Sequence, residues 1–278
     1  MNPASFYGMN KIRPNILLTN DDGIQSPGLW AAAAALSEIG YVTVAAPREQ
    51  SSGMGRSLPN TSDGIITEET VRVKDQDWIV YAVGGSPAQA VLHAVLEINP
   101  MKPDLVVAGI NYGENVGLGV TISGTVGAAL EAAALGVPAL AMSLEVAQEY
   151  HLTYSEDVDF SAAAFFTGYF ARLLLDKKFP EDAHVLKVDV PSDATPSTPW
   201  QVGRVGRLRY YEPTAPQRTS WSEPGTVGYR EAALLESEAE DSDVYLLRRK
   251  HLVAVVPLSL DLTSRVDLKD FESFLRKA

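Results

Sequence analysis

A chain of 278 residues, 46% of them apolar, is long enough to form one or two domains around a sizeable core. The absence of cysteine excludes disulfides and thiol chemistry, and a formal net charge of −12 argues against duplex nucleic acid as a partner, because phosphate contacts need clustered Lys and Arg. No apolar run approaches the roughly 18 residues of a membrane span, so we expect no membrane association. Residues 1–13 lack the apolar centre of a signal peptide and are predicted to be a flexible leader, which favours a cytoplasmic location.

The first predicted strand covers residues 16–19, a short apolar run bounded by turn residues. Asp21 and Asp22 follow this strand directly, and Gly23 completes the turn. In an open parallel sheet, ligands bind at the carboxyl ends of the strands, so the two carboxylates are well placed for chemistry. The alternative is a solvated Asp-Asp-Gly turn, which backbone preferences alone would explain. A helix is predicted next, with Ser26 as its N-cap, Pro27 as its first residue and Gly40 at its end.

Two further strands are predicted over residues 41–46 and 78–83. The former ends in a loop, residues 51–55, that is rich in serine and glycine, and the latter leads to Ser86, the predicted N-cap of a helix over residues 88–97. The free N–H groups at such a helix N-terminus can hold phosphate, although capping alone is the commoner role of serine there.

Residues 104–108 are predicted to form a buried strand that is followed by a polar loop, residues 109–115. Because loops after parallel strands emerge at one edge of the sheet, the two aspartates can meet a serine hydroxyl from loop 51–55 and an asparagine carbonyl from loop 109–115. Such hard oxygen ligands suit one Mg²⁺ or Mn²⁺, whereas zinc would call for Cys or paired His residues that the chain lacks.

The remaining elements change character along the chain. A helix over residues 123–135, opened by Ser123 and ended by Gly136, offers a second anion site. A helix over residues 158–175 and a strand over residues 184–190 follow, and then two β segments, residues 201–211 and 252–258. The final predicted helix, residues 268–277, is too short to be stable alone, so it needs either a partner surface or its own core.

These elements predict an α/β fold with a Rossmann-like, mostly parallel sheet flanked by helices, and a C-terminal β arm and terminal helix used in oligomerisation. We expect a catalytic core over residues 14–200 and an arm over residues 201–278 that belongs to the same unit. A nucleotide-binding module without turnover is a rival interpretation. A haloacid-dehalogenase-type phosphatase is a weaker one, because it needs one residue between its two aspartates.

Several ordered motifs together resemble the SurE (survival protein E) family. They are Thr19-Asn20-Asp21-Asp22-Gly23-Ile24, Ala46-Pro47 with Ser52-Gly53 and Ser57-Leu58, Gly85-Ser86-Pro87-Ala88, Gly109-Ile110-Asn111-Tyr112-Gly113-Glu114-Asn115, Ser123-Gly124-Thr125-Val126-Gly127-Ala128-Ala129, Val188-Asp189-Val190-Pro191, Asp241-Ser242-Asp243, Val255-Val256-Pro257-Leu258 and Asp261-Leu262-Thr263. The resemblance covers nearly the whole chain after Pro14, and motifs in this order are far more specific than a lone glycine pattern.

The resemblance implies a metal-dependent phosphatase that hydrolyses nucleoside 5′- and 3′-monophosphates, with short-chain polyphosphate as a further substrate of some members. It also implies metal ligation by Asp21, Asp22, Ser52 and Asn111, and a homodimer or homotetramer joined through the C-terminal arms. Asp21, Asp22 and Asn111 are the predicted catalytic residues. The residues predicted to contact the substrate are Asn20, Gly53, Ser86, Asn115, Ser123, Gly124 and Thr125.

The chain differs from the usual family pattern at four positions outside the ligand set. Arg48 follows the proline where an acidic or polar residue is frequent, and Ser51 replaces an arginine before the ligand serine. Glu114 replaces a frequent proline, and Asp189 replaces the usual asparagine. These differences bear on substrate preference more than on the metal site.

The charges of the substrate and of the two aspartates also favour a bound divalent cation. A dianionic phosphate monoester would be repelled by Asp21 and Asp22 in a chain of net charge −12, and a bound cation reverses that sign locally. The working hypothesis is that metal-activated water attacks phosphorus while Asn111, Ser123 and backbone N–H groups hold the phosphoryl oxygens. Whether either aspartate is only a ligand, a base or a nucleophile stays open at this point.

Overall fold

The computed structural model describes residues 13–155, 157–233 and 237–277, so all but the last residue of the predicted leader lies outside the described residues. In chain order the elements are β1 (Asn15–Thr19), α1 (Pro27–Leu36), β2 (Tyr41–Pro47), β3 (Ile66–Val73), β4 (Gln76–Val83), α2 (Pro87–His93, continued by a π-helical turn Ala94–Ile98), β5 (Leu105–Tyr112), a 3₁₀ turn (Gly117–Thr121), α3 (Gly124–Ala134), β6 (Ala139–Leu144), a second 3₁₀ turn (Gln148–Tyr150), α4 (Ser161–Asp176), β7 (Val185–Val190), β8 (Trp200–Val202), β9 (Tyr211–Thr214), β10 (Gly228–Glu231), α5 (Asp243–Arg248), β11 (Val253–Leu258) and α6 (Leu268–Arg276).

A nine-stranded sheet in the order β3-β4-β2-β1-β5-β6-β7-β11-β8 forms the centre of the molecule. The six strands from β4 to β7 in this order pair in parallel, whereas β3 is antiparallel to β4, and β11 is antiparallel to β7. The predicted α/β class with a mostly parallel sheet is therefore confirmed. β1 lies centrally, between β2 and β5, so its carboxyl end opens between two neighbouring strand ends.

Helices cover both faces of the sheet, because successive side chains of a buried strand point to opposite sides. Ile16 and Leu18 of β1 pack in the cluster that contains α1 and α4, while Leu17 packs in the cluster that contains α2 and α3. All three side chains are buried. Burying both faces fixes the strand register, and the register places the residues after β1 at the sheet edge.

Three predicted elements differ from the structure. α1 ends at Leu36, so its predicted end at Gly40 is wrong: Ile39 N–H bonds the carbonyl of Leu36 in a tighter turn, and the chain then enters β2. β5 continues to Tyr112, so Asn111 lies on a strand rather than in a loop. The β segment predicted over residues 201–211 is strand only at its two ends, within Trp200–Val202 and at Tyr211. β3, β6, β10 and α5 were not predicted at all.

The C-terminal residues divide between the main sheet and more exposed structure. β8 and β11 join the nine-stranded sheet, whereas β9 and β10 form a separate two-stranded ribbon. From here on, the arm means this ribbon alone and not the whole of residues 201–278. α6 lies at the predicted place and has no buried residue, with apolar side chains such as Phe271 and Phe274 exposed. Its use in oligomerisation stays a prediction. None of the helices in the described ranges combines the length and apolar character needed to span a bilayer.

Candidate active site

Backbone contacts join three strand ends around the two aspartates at the carboxyl edge of the sheet. Asp21 and Asp22 follow β1. The N–H of Ser51, in the loop after β2, donates to the backbone carbonyl of Asp21 at 2.6 Å. The N–H of Tyr112, the last residue of β5, donates to Asp22 Oδ2 at 3.1 Å. The predicted convergence of these three segments is thus present in the fold.

Asp21 lies against the N-terminus of α3. Its side chain is buried, and the Thr125 hydroxyl donates to Oδ1 of its carboxylate. Gly124, the first residue of α3, approaches it so closely that a Cβ built there would lie 2.7 Å from the Cβ of Asp21. Only glycine fits at this point, and the close approach brings the N–H groups of the first helical turn to the carboxylate.

Asp22 is also contacted by Gln50 and Tyr154, which come from two different segments. Gln50 Nε2 lies 3.4 Å from Asp22 Oδ1 and donates at 3.0 Å to the carbonyl of His151. The Tyr154 hydroxyl donates to the backbone carbonyl of Asp22 at 2.8 Å. Sequence reasoning did not select Gln50 or Tyr154. The position of Gln50 in the loop that carries Ser52 was a usable signal, whereas nothing in the sequence around Tyr154 ties it to Asp22.

The pKa values of Asp21 and Asp22 are both raised by burial, and neither carboxylate is close to a cationic side chain of the described residues. Burial raises the pKa of Asp21 to about 6, even though the Thr125 hydrogen bond opposes the rise. Burial and the repulsion of Asp21 raise the pKa of Asp22 well above its usual value. Within the described ranges neither carboxylate forms an ion pair with a Lys, Arg or His side chain. Two adjacent buried carboxylates without such a partner are a donor set that a divalent cation would neutralise.

The other two predicted ligands are each next in sequence to a residue that contacts the pair. Asn111 is buried, and its Nδ2 donates to the carbonyls of Gly113 at 2.7 Å and Tyr112 at 3.3 Å, so its Oδ1 is the atom that could coordinate a cation. Ser52 is exposed and follows Ser51, whose backbone is tied to Asp21. In the part of the chain that the structure describes, no group of three His, Cys, Asp or Glu residues could hold a metal, so hydroxyl and amide oxygens would have to complete the set. The residues present fit a hard cation such as Mg²⁺ or Mn²⁺.

Four of the seven predicted substrate residues lie at the start of α3 and in the loop after β2. The structure brings Gly124 and Thr125 to Asp21, and the preceding Ser123 caps α3 by accepting from Val126 N–H at 3.1 Å. Gly53, exposed beside Ser52, has open space around it.

The other three predicted contacts have structural partners. Asn20 closes the turn by bonding both the N–H and the carbonyl of Gly23, at 3.2 and 3.0 Å. Ser86 is buried, caps α2 and donates to the carbonyl of Ser57 at 2.6 Å. Asn115 is half-buried and bonds the Ser143 hydroxyl through Nδ2 at 2.8 Å. A substrate role for these residues stays a prediction.

The fold and the site define a Rossmann-like α/β protein with paired carboxylates at the carboxyl edge of its sheet. The family model described as Survival protein SurE matches residues 16–212. The chain belongs to the SurE family, as its resemblance indicated.

Individual relatives agree over nearly the full length. The 5′-nucleotidase SurE of Thermococcus gammatolerans is 39% identical over 265 residues, covering 94% of this chain and 95% of that protein. The 5′-nucleotidase SurE of Methanosarcina mazei is 36% identical over 268 residues, covering 94% and 98%. Among solved structures, the SurE protein from Aquifex aeolicus matches with a TM-score of 0.71 and 32% identity, covering 94% of this chain and all of that one.

Proposed function

We propose that this protein is a 5′-nucleotidase that hydrolyses nucleoside 5′- and 3′-monophosphates to nucleoside and phosphate with the help of one Mg²⁺ or Mn²⁺. The observation that carries the proposal is the pair of buried aspartates against the N-terminus of α3, where a cation and a phosphate could meet. The 5′-nucleotidase name of relatives that match over 94% of the chain supports the same reaction. Short-chain polyphosphate is a further proposed substrate.

Asp21, Asp22, Asn111 and Ser52 would hold the cation. When bound, it would polarise a phosphoryl oxygen and lower the pKa of the water that attacks phosphorus.

The chain's own groups would do the remaining work. The Thr125 hydroxyl fixes the orientation of Asp21 and favours its ionised form, because the hydrogen bond lowers its pKa against the effect of burial. The N–H groups of the first turn of α3 would bind phosphoryl oxygens, and a helix N-terminus suits an anion without a basic side chain. Gly124 permits that approach because it has no side chain to separate the helix from Asp21.

The first test is phosphate release from a panel of nucleoside 5′- and 3′-monophosphates with Mn²⁺, Mg²⁺ or EDTA. We expect turnover that EDTA abolishes and that Asp21→Asn lowers by orders of magnitude. Asp77→Asn, which removes an exposed carboxylate on β4, is the matched control and should behave as the wild type. Full turnover in EDTA would contradict metal dependence, and nucleotide affinity without turnover would favour a binding module.

The same preparation can test the attacking group. Direct attack by water predicts no burst of product and no phosphorylated protein after acid quenching. A trapped aspartyl phosphate on Asp21 or Asp22 would instead assign that residue as a nucleophile.

We also propose that copies of the chain associate through the arm and α6, as a dimer or tetramer, and that the protein acts in the cytoplasm. The exposed apolar side chains of α6, which has no buried residue, support association. Light scattering at dilute concentration tests this: a monomeric mass would mean that α6 is not an assembly element.

A further inference from the structure

A short segment after β5 is held by two buried carboxylates from distant parts of the chain. Asp189, on β7, accepts the N–H of Asn115 at 2.7 Å. Asp243, at the start of α5, accepts the N–H of Gly117 at 3.1 Å. This segment, residues 113–117, connects β5, which carries a proposed metal ligand, to the turn that leads into α3.

One lysine joins the two carboxylates. Lys187 Nζ forms an ion pair with Asp189 and lies 3.0 Å from Asp243 Oδ2, and all three side chains are fully buried. Burial lowers the pKa of Lys187, but the two ion pairs outweigh it and raise the pKa overall, so the ammonium stays charged. We call Lys187, Asp189 and Asp243 the ion triad. It carries one more negative than positive charge, so neutralising one aspartate leaves a matched pair.

The opposite end of α5 reaches the same segment. Arg248 lies 3.9 Å from Glu114 Oε1 and 3.1 Å from Glu145 Oε1. Asp243 also accepts the N–H of Gly206 at 2.8 Å, which ties in the chain that leads to the arm. Both ends of α5 therefore contact segment 113–117, the first through a hydrogen bond and the last through a longer ion pair.

Asn115 is fixed through both its backbone and its side chain. Its N–H is bound by Asp189, and its Nδ2 donates to Ser143, which is itself buried. These two bonds leave the carbonyl oxygen of its half-buried side chain as the group that can face a substrate. Loss of either bond would free the side chain to rotate or the backbone to shift.

We propose that Asp189, held by Lys187, which also pairs with Asp243, is a positioning residue that sets Asn115 for substrate binding. In this way the substrate affinity depends on the buried ion triad supplied by β7 and α5. The proposal deepens the proposed function, since it assigns a role within the same nucleotide site.

Two substitutions at one position isolate the hydrogen bond. Asp189→Asn and Asp189→Leu remove the same charge and leave Lys187 paired with Asp243. Asparagine keeps one acceptor oxygen, which the Asn115 N–H and Lys187 can share, whereas leucine keeps none. We expect the KM for nucleotide to be roughly 10-fold higher in the leucine variant than in the asparagine variant, because leucine offers the Asn115 N–H no acceptor. The affinity for Mn²⁺, measured by calorimetry, should stay within about two-fold, since no proposed metal ligand bonds the ion triad. If the leucine variant does not fold, Asp189→Ala makes the same removal with a smaller side chain.

Hydrogen exchange of the peptide covering residues 113–118 gives a readout that does not require turnover. We expect faster exchange in the leucine variant than in the asparagine variant, both far below their unfolding temperatures. Equal KM values, equal exchange, or a parallel fall in Mn²⁺ affinity would overturn the positioning role. A wild type that folds but releases no phosphate would instead contradict the proposed function, and the exchange experiment would still decide the positioning role.

Discussion

Replacing Asp21 by asparagine is expected to stabilise the metal-free protein at neutral pH while removing its activity. The wild type buries two adjacent carboxylates, and asparagine keeps an acceptor for the Thr125 hydroxyl without the charge. An acid whose pKa is higher in the fold keeps its proton there after the unfolded chain has lost it. Its contribution to stability is complete below pH 3.8 and is lost as the pH rises through about 6.

The magnitude follows from the pKa of Asp21. A rise from 3.8 to about 6 corresponds to about 3 kcal/mol at roughly 1.36 kcal/mol per pKa unit. For a chain of this size, about 3 kcal/mol shifts the unfolding temperature by roughly 5–10 °C. Removing the charge of Asp21 also relieves Asp22, whose pKa that charge helps to raise.

The assay is thermal and urea unfolding in EDTA from about pH 3.5 to pH 8, on the wild type, Asp21→Asn and the exposed control Asp77→Asn. The wild type should lose stability relative to Asp21→Asn between pH 3.8 and about pH 6, while the control follows the wild type. Added Mn²⁺ should raise the unfolding temperature of the wild type and have little effect on Asp21→Asn. Parallel pH profiles for wild type and Asp21→Asn would refute the electrostatic argument.

Three further substitutions test how the site is built. Thr125→Val removes a hydrogen bond that lowers the pKa of Asp21, so that pKa should rise further and Mn²⁺ binding near pH 6.5, measured by calorimetry, should weaken about 10-fold. Thr125→Ser keeps the hydroxyl and should bind Mn²⁺ like the wild type. Gly124→Ala should lower kcat/KM at least 100-fold, because the added Cβ would collide with Asp21. Gly119→Ala adds a Cβ in open space and should keep full activity. Equal kcat/KM values for the two variants would contradict the steric argument. Ser52→Ala should raise the Mn²⁺ concentration needed for half-maximal phosphate release several-fold and leave the rate at saturating Mn²⁺ nearly unchanged, and a lost saturated rate would assign Ser52 a role beyond ligation.

Local sequence patterns predicted most of the central strands, though not β6, because burial on both faces produces short apolar runs. Residues 16–19 and 41–46 became β1 and β2 almost unchanged. The alternating, more polar β3 was missed, since it lies at the sheet edge with several exposed side chains. The end of α1 was misplaced because a glycine after a helix is a typical C-cap, whereas here Gly40 belongs to the approach to β2: a Cβ there would lie 2.7 Å from the carbonyl oxygen of Pro14.

The candidate site could be predicted from the sequence where its residues lie next to strand ends. Asp21, Asp22 and Asn111 could be grouped because parallel strands end at a common edge. Gln50 and Tyr154 could not be grouped in that way, since their contacts to Asp22 depend on side-chain reach and on the path of residues 151–155. The order of strands in a sheet, and the path of a loop over it, are properties of packing that no local pattern encodes.

The differences from the usual family pattern acquire a physical meaning when the charges around segment 113–117 are considered together. Glu114 and Asp189 each place a carboxylate in the interior, and an unpaired buried charge would cost several kcal/mol. Lys187 compensates Asp189, and α5 supplies Arg248 near Glu114. Glu114 is the less closely paired of the two, because Arg248 lies 3.9 Å from its Oε1 whereas Lys187 contacts Asp189 directly. Burial raises the pKa of both carboxyls, that of Glu114 to about 7. Cations on β7 and α5 therefore lie beside both carboxylates, which ties the structure of segment 113–117 to β7 and to the C-terminal part of the fold.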